Sequence, residues 1–236
     1  MRRNLAKADA AGPSVVMVSQ LELLTVTFCV EGDSPLLLAR FAEEAKQMMR
    51  VKHQGLAAAA GPRKKKDPWA DFCNGINWMS ERPAGRVSVE QINKARIGAP
   101  SLWFKCAMIE AASQCSAITK VDVRAAIRVL GEVVRDSETG NAVSLLEVVG
   151  PRRMREDPVR NSGPGKSADL RYRAEFWPWS IMVPIRFNPA IFTVEQVANL
   201  LNLSGQVGVG QWRAQRNGEM GYYHVAETAK SRAKVG

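Results

Sequence analysis

Trp179-Ser-Ile-Met-Val-Pro-Ile-Arg-Phe187 alternates strictly. Trp179, Ile181, Val183, Ile185 and Phe187 fall on one side, and Ser180, Met182, Pro184 and Arg186 on the other. That is the period of two of a half-buried β-strand. The pattern predicts one long strand over residues 170–187. Pro184 is its discordant residue. Proline cannot donate to a ladder, so an edge strand or a bulge is expected there.

Immediately upstream, regular patterning stops. The stretch Pro151-Arg-Arg-Met-Arg-Glu-Asp-Pro-Val-Arg160-Asn-Ser-Gly-Pro-Gly-Lys-Ser-Ala-Asp169 reads as an irregular loop. It separates residues 143–149, a strand pattern, from the long strand, so it forms the tip of a long hairpin. Residues 151–173 hold six Arg and one Lys against two Asp and one Glu. That surplus of positive charge on a projecting loop suits phosphate binding, because guanidinium groups contact phosphates bidentately and stack on bases. Arg152, Arg153, Arg155 and Arg160 are the expected contacts, with Met154 as an apolar wedge between them. The competing reading pairs these arginines with acidic residues of a neighbouring subunit.

Further out, residues 21–30 form an apolar strand pattern. Ser34 and Pro35 suit the start of a helix that runs to Met49, with Leu37, Phe41, Ala45 and Met48 on one face. Residues 53–98 read as an insertion. It contains Lys64 and Lys65 within a basic cluster, then Trp69, Phe72 and Trp78. These aromatics could stack bases or form a small satellite core. A helix is expected over residues 100–116, with Leu102, Cys106 and Ile109 as its apolar stripe and Trp103 and Lys105 as secondary contacts. Residues 126–130 and 143–149 read as strands, joined by a turn at Glu138, Thr139 and Gly140. Thr193 and Gln196 make a capping box. They open a helix whose Val194, Val197, Ala198 and Leu201 face inward and which Gly205 ends. A glycine loop follows at Gly208 and Gly210, with Arg213 and Arg216 as further secondary contacts, then a turn at Asn217-Gly218 and a strand over residues 222–226. Residues 1–20 and 227–236 read as tails.

The chain has 236 residues, 46% of them hydrophobic, and a formal net charge of +10. A core of useful size can be buried. A positive field of this size gathers polyanions, with nucleic acid as the expected partner. No apolar run approaches about 18 residues, and no basic amphipathic helix is visible, so a membrane partner is not expected. Cys29, Cys73, Cys106 and Cys115 show no paired short spacing. They read as reduced core residues of a protein in a reducing, cytoplasmic compartment, with no structural zinc.

Catalytic motifs are missing. His53 and His224 have no ligand spacing around them, and no Ser/His/Asp arrangement can be assembled. The Gly208-x-Gly210 loop follows a helix and lacks the lysine of a phosphate loop. Glu31 and Asp33 could hold a metal, although helix capping is the simpler role for Asp33. No enzyme activity and no cofactor are expected.

The order strand, helix, insertion, strands, long hairpin, helix, glycine loop, strand is an elaborated βαββαβ order. It predicts an α+β fold with a ferredoxin-like, RNA-recognition-motif-like palm and a helical insertion. The stretches Gly98-Ala-Pro-Ser-Leu-Trp-Phe-Lys-Cys-Ala-Met-Ile-Glu-Ala-Ala112, Val207-Gly-Val-Gly-Gln-Trp-Arg213 and Leu170-Arg-Tyr-Arg-Ala-Glu-Phe176 resemble a family of uncharacterised proteins of tailed bacteriophages and prophages. The layout is also similar to the RAMP superfamily, including the backbone subunit of CRISPR effector complexes. That resemblance implies a hairpin thumb over residues 149–173. It also implies a homo-oligomer repeating along single-stranded RNA or DNA, alone or with other subunits of a ribonucleoprotein complex. Two other readings stay open: a metal-dependent ribonuclease using Asp33 or Glu31, and a structural or defence-blocking phage interaction protein.

Overall fold

In a computed structural model, residues 21–40, 43–54, 67–136, 140–160 and 168–227 are described. The described chain is mixed α+β with two antiparallel sheets. The predicted strand becomes β9 (Ser180–Phe187), and it sits at the centre of the larger sheet. One edge of β9 pairs with β1 (Leu24–Gly32) over eight residues, from Leu24↔Phe187 to Glu31↔Ser180. Its other edge is shared. β4 (Ile127–Val129) covers Phe187 to Ile185, and β6 (Ala142–Val149) covers Ile181 and Ser180. β10 (Tyr223–Val225) flanks β1, while β3 (Gly98–Pro100) and β5 (Glu132–Arg135) flank β6. The sheet order is therefore β10-β1-β9-β6-β3.

The alternation in β9 does what its period predicts. Trp179, Ile181, Val183, Ile185 and Phe187 are all buried, and they pack with Val26, Phe28 and Val30 of β1. Two helices close this face: α4 (Ser101–Ala111) and α6 (Val194–Ser204), which also pack on each other. Phe104 and Met108 come from the first, and Val197, Leu200 and Leu201 from the second. Tyr223 sits between the layers, its ring centroid 5.5 Å from that of Phe104, and its hydroxyl lies 2.6 Å from Ser204 Oγ. The opposite face of the sheet, bearing Thr25, Thr27, Met182 and Arg186, carries none of these helices.

Pro184 is in a central strand, not at an edge or bulge. Its position in the ladder explains the tolerance. Its carbonyl accepts the Leu130 amide at 2.8 Å, so its nitrogen points to the same side, where β4 has ended and β6 has not begun. The missing N–H costs one half of one terminal pair.

The expected strand over residues 170–187 is two strands. β8 (Ala168–Phe176) belongs to the second sheet, where it lies between β2 (Leu36–Leu38) and β7 (Arg152–Arg160), and Trp177 and Pro178 separate it from β9. The arginine stretch is not an irregular loop. Arg152–Arg160 is β7, paired with β8 over nine residues. The β6–β9 ladder thus runs on into the β7–β8 ladder, with a break at Gly150. Gly150 has φ +147°, and a Cβ there would collide with the Pro178 carbonyl, so only glycine serves. What remains of the expected loop, residues 161–167, lies outside the described residues.

The helix expected from Ser34 and Pro35 does not start there. Leu36–Leu38 is β2, fully buried beside Phe176, Glu175 and Ala174 of β8. Ser34 Oγ accepts the Tyr222 amide at 3.0 Å, and its carbonyl accepts the Trp179 indole at 2.7 Å. Burial of three consecutive leucines outweighs a local capping preference. The helix, α1, spans Glu43–His53. Phe41 and the side chains of Ala45 and Met48 lie outside the described residues. In α4 the apolar stripe is also different. Leu102 and Cys106 are exposed and Ile109 is half-buried, while Ser101, Phe104, Ala107, Met108 and Ala111 face the sheet. The turn of which Gly140 is the described part joins β5 to β6; Glu138 and Thr139 lie outside the described residues.

The insertion holds α2 (Pro68–Asn74) and α3 (Val89–Lys94), and between β4 and α4 lies α5 (Lys120–Ala126). Trp69, Phe72 and Trp78 form no separate satellite core: Phe72 and Trp78 belong to the main core, and Trp69 packs against it. The Trp69 indole donates to the Val87 carbonyl at 2.6 Å, and the Trp78 indole to the Cys73 carbonyl at 3.1 Å. Cys29 and Cys73 are buried, but Cys106 is exposed and Cys115 half-buried; none of the four forms a disulfide.

The Thr193–Gln196 capping box is present, with Thr193 Oγ1 accepting the Gln196 amide at 3.2 Å and Gln196 Oε1 accepting the Thr193 amide at 2.9 Å. Removing the hydroxyl leaves an amide of the first turn of α6 without its acceptor. Thr193→Ala is expected to lower the unfolding free energy by about 1 kcal/mol, read as a lower urea midpoint with unchanged slope.

Candidate nucleic-acid interface

As a strand, β7 sorts its arginines by parity. Arg153, Arg155 and Asp157 share one face of the small sheet with Arg171, Arg173 and Glu175 of β8. Arg152, Met154, Glu156 and Arg160 lie on the other. The expected cluster of adjacent arginines with Met154 wedged between them is therefore split across two faces.

On the first face an ion ladder forms. Arg155 and Arg173 stand directly opposite each other, two like charges in register. Two carboxylates neutralise them. Asp157 accepts from Arg173 at 2.7 Å and from Arg155 at 2.8 Å; Glu175 accepts from Arg155 at 2.9 Å and from Arg153 at 2.6 Å. Arg173 is 2% exposed, and Asp157 and Glu175 are also buried. Burial pushes the Glu175 carboxyl up, but the hydrogen bonds and charges of Arg153 and Arg155 outweigh it and hold the group below its ordinary value. The two carboxylates raise Arg155 in turn. Arg153, Arg155 and Arg173 thus pair with acids of their own chain.

The glycine loop roofs this ladder. The Gln211 amide donates to the Leu37 carbonyl at 3.0 Å. Gly210, at φ +83°, passes so close that a Cβ would sit 2.7 Å from that same carbonyl oxygen. Trp212, itself at φ +54°, lies over the arginines, its ring centre 4.6 Å from the Arg173 guanidinium carbon and 5.6 Å from that of Arg155. Arg173 Nε has no hydrogen-bond partner among the described residues; the indole face supplies a cation–π contact there.

The expected contacts therefore have different surroundings. Arg152 is half-buried, donating to the carbonyls of Asn93 and Ala95 at the C-terminal end of α3, and burial lowers its pKa. Arg155 is held in the ladder. Arg153 is fixed at Nε by Glu175, yet its side chain is 76% exposed. Arg160 and Arg216 are exposed, and Met154 is partly so. Arg213 donates to the Gly210 carbonyl and to Gln215. Trp103 and Lys105 lie on α4, in the helical layer of the other sheet, with Lys105 Nζ donating to the Arg124 carbonyl at 3.1 Å. Lys64 and Lys65 lie outside the described residues. Sequence reading missed Glu175, Arg171, Trp177 and Trp212. Trp177, 46% exposed, joins Pro151, Arg152, Arg153 and Glu175 around a shallow groove of about 230 Å³ at the root of the hairpin.

Elsewhere, Asp33 Oδ1 lies 2.6 Å from His224 Nδ1 and caps no helix. Among the described residues no group of three His, Cys, Asp or Glu could hold a metal, and no helix is long and apolar enough to cross a membrane. No family model and no curated protein matches the chain.

Two outcomes follow from the ladder. Asp157→Ala leaves the buried Arg173 uncompensated and is expected to cost about 3–5 kcal/mol of stability by urea unfolding, with much of it recovered in Asp157→Leu/Arg173→Met. Glu175, with its lowered pKa, contributes stability that is complete above the ordinary glutamate value of about 4.3 and is lost as pH falls through its folded value. Glu175→Gln should therefore flatten the acid limb of a stability–pH curve, and an unchanged limb would assign that limb to other carboxylates.

Proposed function

We propose that this protein binds single-stranded nucleic acid along the charged face of the β7–β8 hairpin, without enzymatic activity. The observation that carries the reading is Arg153. Its Nε is fixed by the buried Glu175 carboxylate while the rest of the guanidinium faces solvent beside the exposed indole of Trp177. A pre-oriented guanidinium and an aromatic face around one groove suit a phosphate and its neighbouring base. Arg171 and Arg216 extend the exposed positive surface, and the net charge of +10 draws a polyanion toward it. Contacts of this kind hold the backbone and read little sequence.

The palm reading has support of the same kind. The order β10-β1-β9-β6, with α4 and α6 on one face, is the order expected of a βαββαβ sheet. In that reading β7 and β8 are the thumb, and the resemblance to phage proteins and the RAMP superfamily proposes a homo-oligomer in a bacterial cytoplasm repeating along the strand.

Three phosphate contacts, at Arg153, Arg171 and Arg216, contribute about −2.1 to the slope of log affinity against log salt, at least about a 20-fold loss between roughly 50 and 200 mM salt. Fluorescence anisotropy with a labelled oligonucleotide measures it. Arg153→Glu should weaken binding and flatten the slope. Affinity that ignores salt, or protein purified without nuclease that carries no polymer and binds none, would falsify the reading.

A further inference from the structure

Among the described residues, two pairs of arginines stand in direct cross-strand register. Like charges so placed repel, and a sheet normally avoids the arrangement or neutralises it. Arg155↔Arg173 is neutralised by Asp157 and Glu175, as described above. The second pair is Arg128↔Arg186, on β4 and β9 of the large sheet. No such device is present for it. Arg186 Nε donates only to Thr25 Oγ1, at 3.3 Å, and Arg128 has no acidic partner among the described residues. Both side chains are exposed, on the face of the sheet that α4 and α6 leave open.

The surroundings fit an anion from outside. Thr25 pairs with Arg186 on the far side, so Thr25, Arg186 and Arg128 form one row across three strands. The Thr25 hydroxyl aligns one guanidinium and keeps its own proton for a further acceptor. The next rows, Thr27–Pro184 and Cys29–Met182, carry no charge. Elsewhere on this face a basic side chain does meet acids: Arg96 lies 2.7 Å from Glu132 and 2.9 Å from Glu147. The absence of acids at the Arg128–Arg186 row is thus local.

We propose that Arg128 and Arg186, with the Thr25 hydroxyl, form a phosphate-binding site on the open face of the large sheet, taking a backbone phosphate of the single strand that the hairpin holds. Two forked donors in register can grip one phosphate from both sides, and the bound anion relieves their repulsion. The site rests on the nucleic-acid reading for its ligand, but on a separate sheet and separate residues for its geometry. It would carry the strand from the hairpin onto the palm.

The test uses the full chain and the double variant Arg128→Ser/Arg186→Ser. The probes are a labelled oligo(U) and a labelled oligo(dT), each of about 20 nucleotides. Circular dichroism and the melting temperature monitor folding, and removing a repelling pair should leave the melting temperature unchanged or raise it. The double variant is expected to reduce the magnitude of the salt slope by about 0.7, the value for one single-strand phosphate contact. A wild-type slope in a folded double variant, alongside weakened binding in Arg153→Glu, overturns the sheet site and leaves the hairpin reading standing. If the wild-type chain binds neither oligonucleotide, that reading and the strand as ligand both fail. Arginine Nε–H shifts on titration with inorganic phosphate then decide the site alone: shifts at Arg128 and Arg186 support it, and their absence overturns it.

Discussion

The burial of one face of β9 is the constraint on which the other elements depend. Five large side chains from Trp179 to Phe187 must leave water together, at about 1.5–3 kcal/mol each for the aliphatic and phenyl groups. A sheet face supplies that only when a layer covers it, and α4 and α6 are that layer. Once the strand is central, both of its edges need partners. β1 fills one edge for eight residues. The other is divided between β4 and β6, and the gap between them is where Pro184 is tolerated.

From the same strand comes the hairpin. Because β9 pairs with β6, the chains entering and leaving that pair run side by side, and β7 and β8 inherit their proximity. They do not continue the large sheet. Gly150 and the Trp177-Pro178 step turn them out into a second sheet with β2. Its inner face joins the main core through Phe176, Leu36 and Leu38. Its outer face could have been solvated. Instead it carries a charge ladder roofed by Trp212, so two carboxylates are buried and must be paired. Rigid arginine is the result. Arg155 and Arg173 serve the ladder, and Arg153 is oriented by it while remaining at the surface. The same chemistry explains why Arg128 and Arg186 stand out: they repeat the opposed geometry without the acids.

Much was legible in the residues. The period of two in β9, the capping box of α6, the long hairpin and the positions of the last strand and glycine loop all rest on local patterns, and local patterns survive folding. Legibility failed where a distant partner decided the outcome. Ser34 and Pro35 look like a helix start, but Leu36, Leu37 and Leu38 have β8 to pair with. Residues 152–160 lack an apolar alternation because their outer face is filled with paired charges, so a strand looked like a loop. The stripe of α4 was misplaced by one face because alanines and a serine, not the larger Leu102 and Cys106, allow close approach to the sheet.

Sequence by itself determined the mixed α+β class, the strand alternation that ends at Phe187, the last helix and the concentration of arginine between residues 151 and 173. Those follow from periodicity, capping chemistry and composition, which need no knowledge of neighbours. The tertiary structure alone decided which arginines are available. Exposure, pairing and register depend on what lies opposite each side chain. Glu175, 22 residues from Arg153 in the chain, is the group that orients it, and Arg186 meets Arg128 across 58 residues only because β4 and β9 are neighbours.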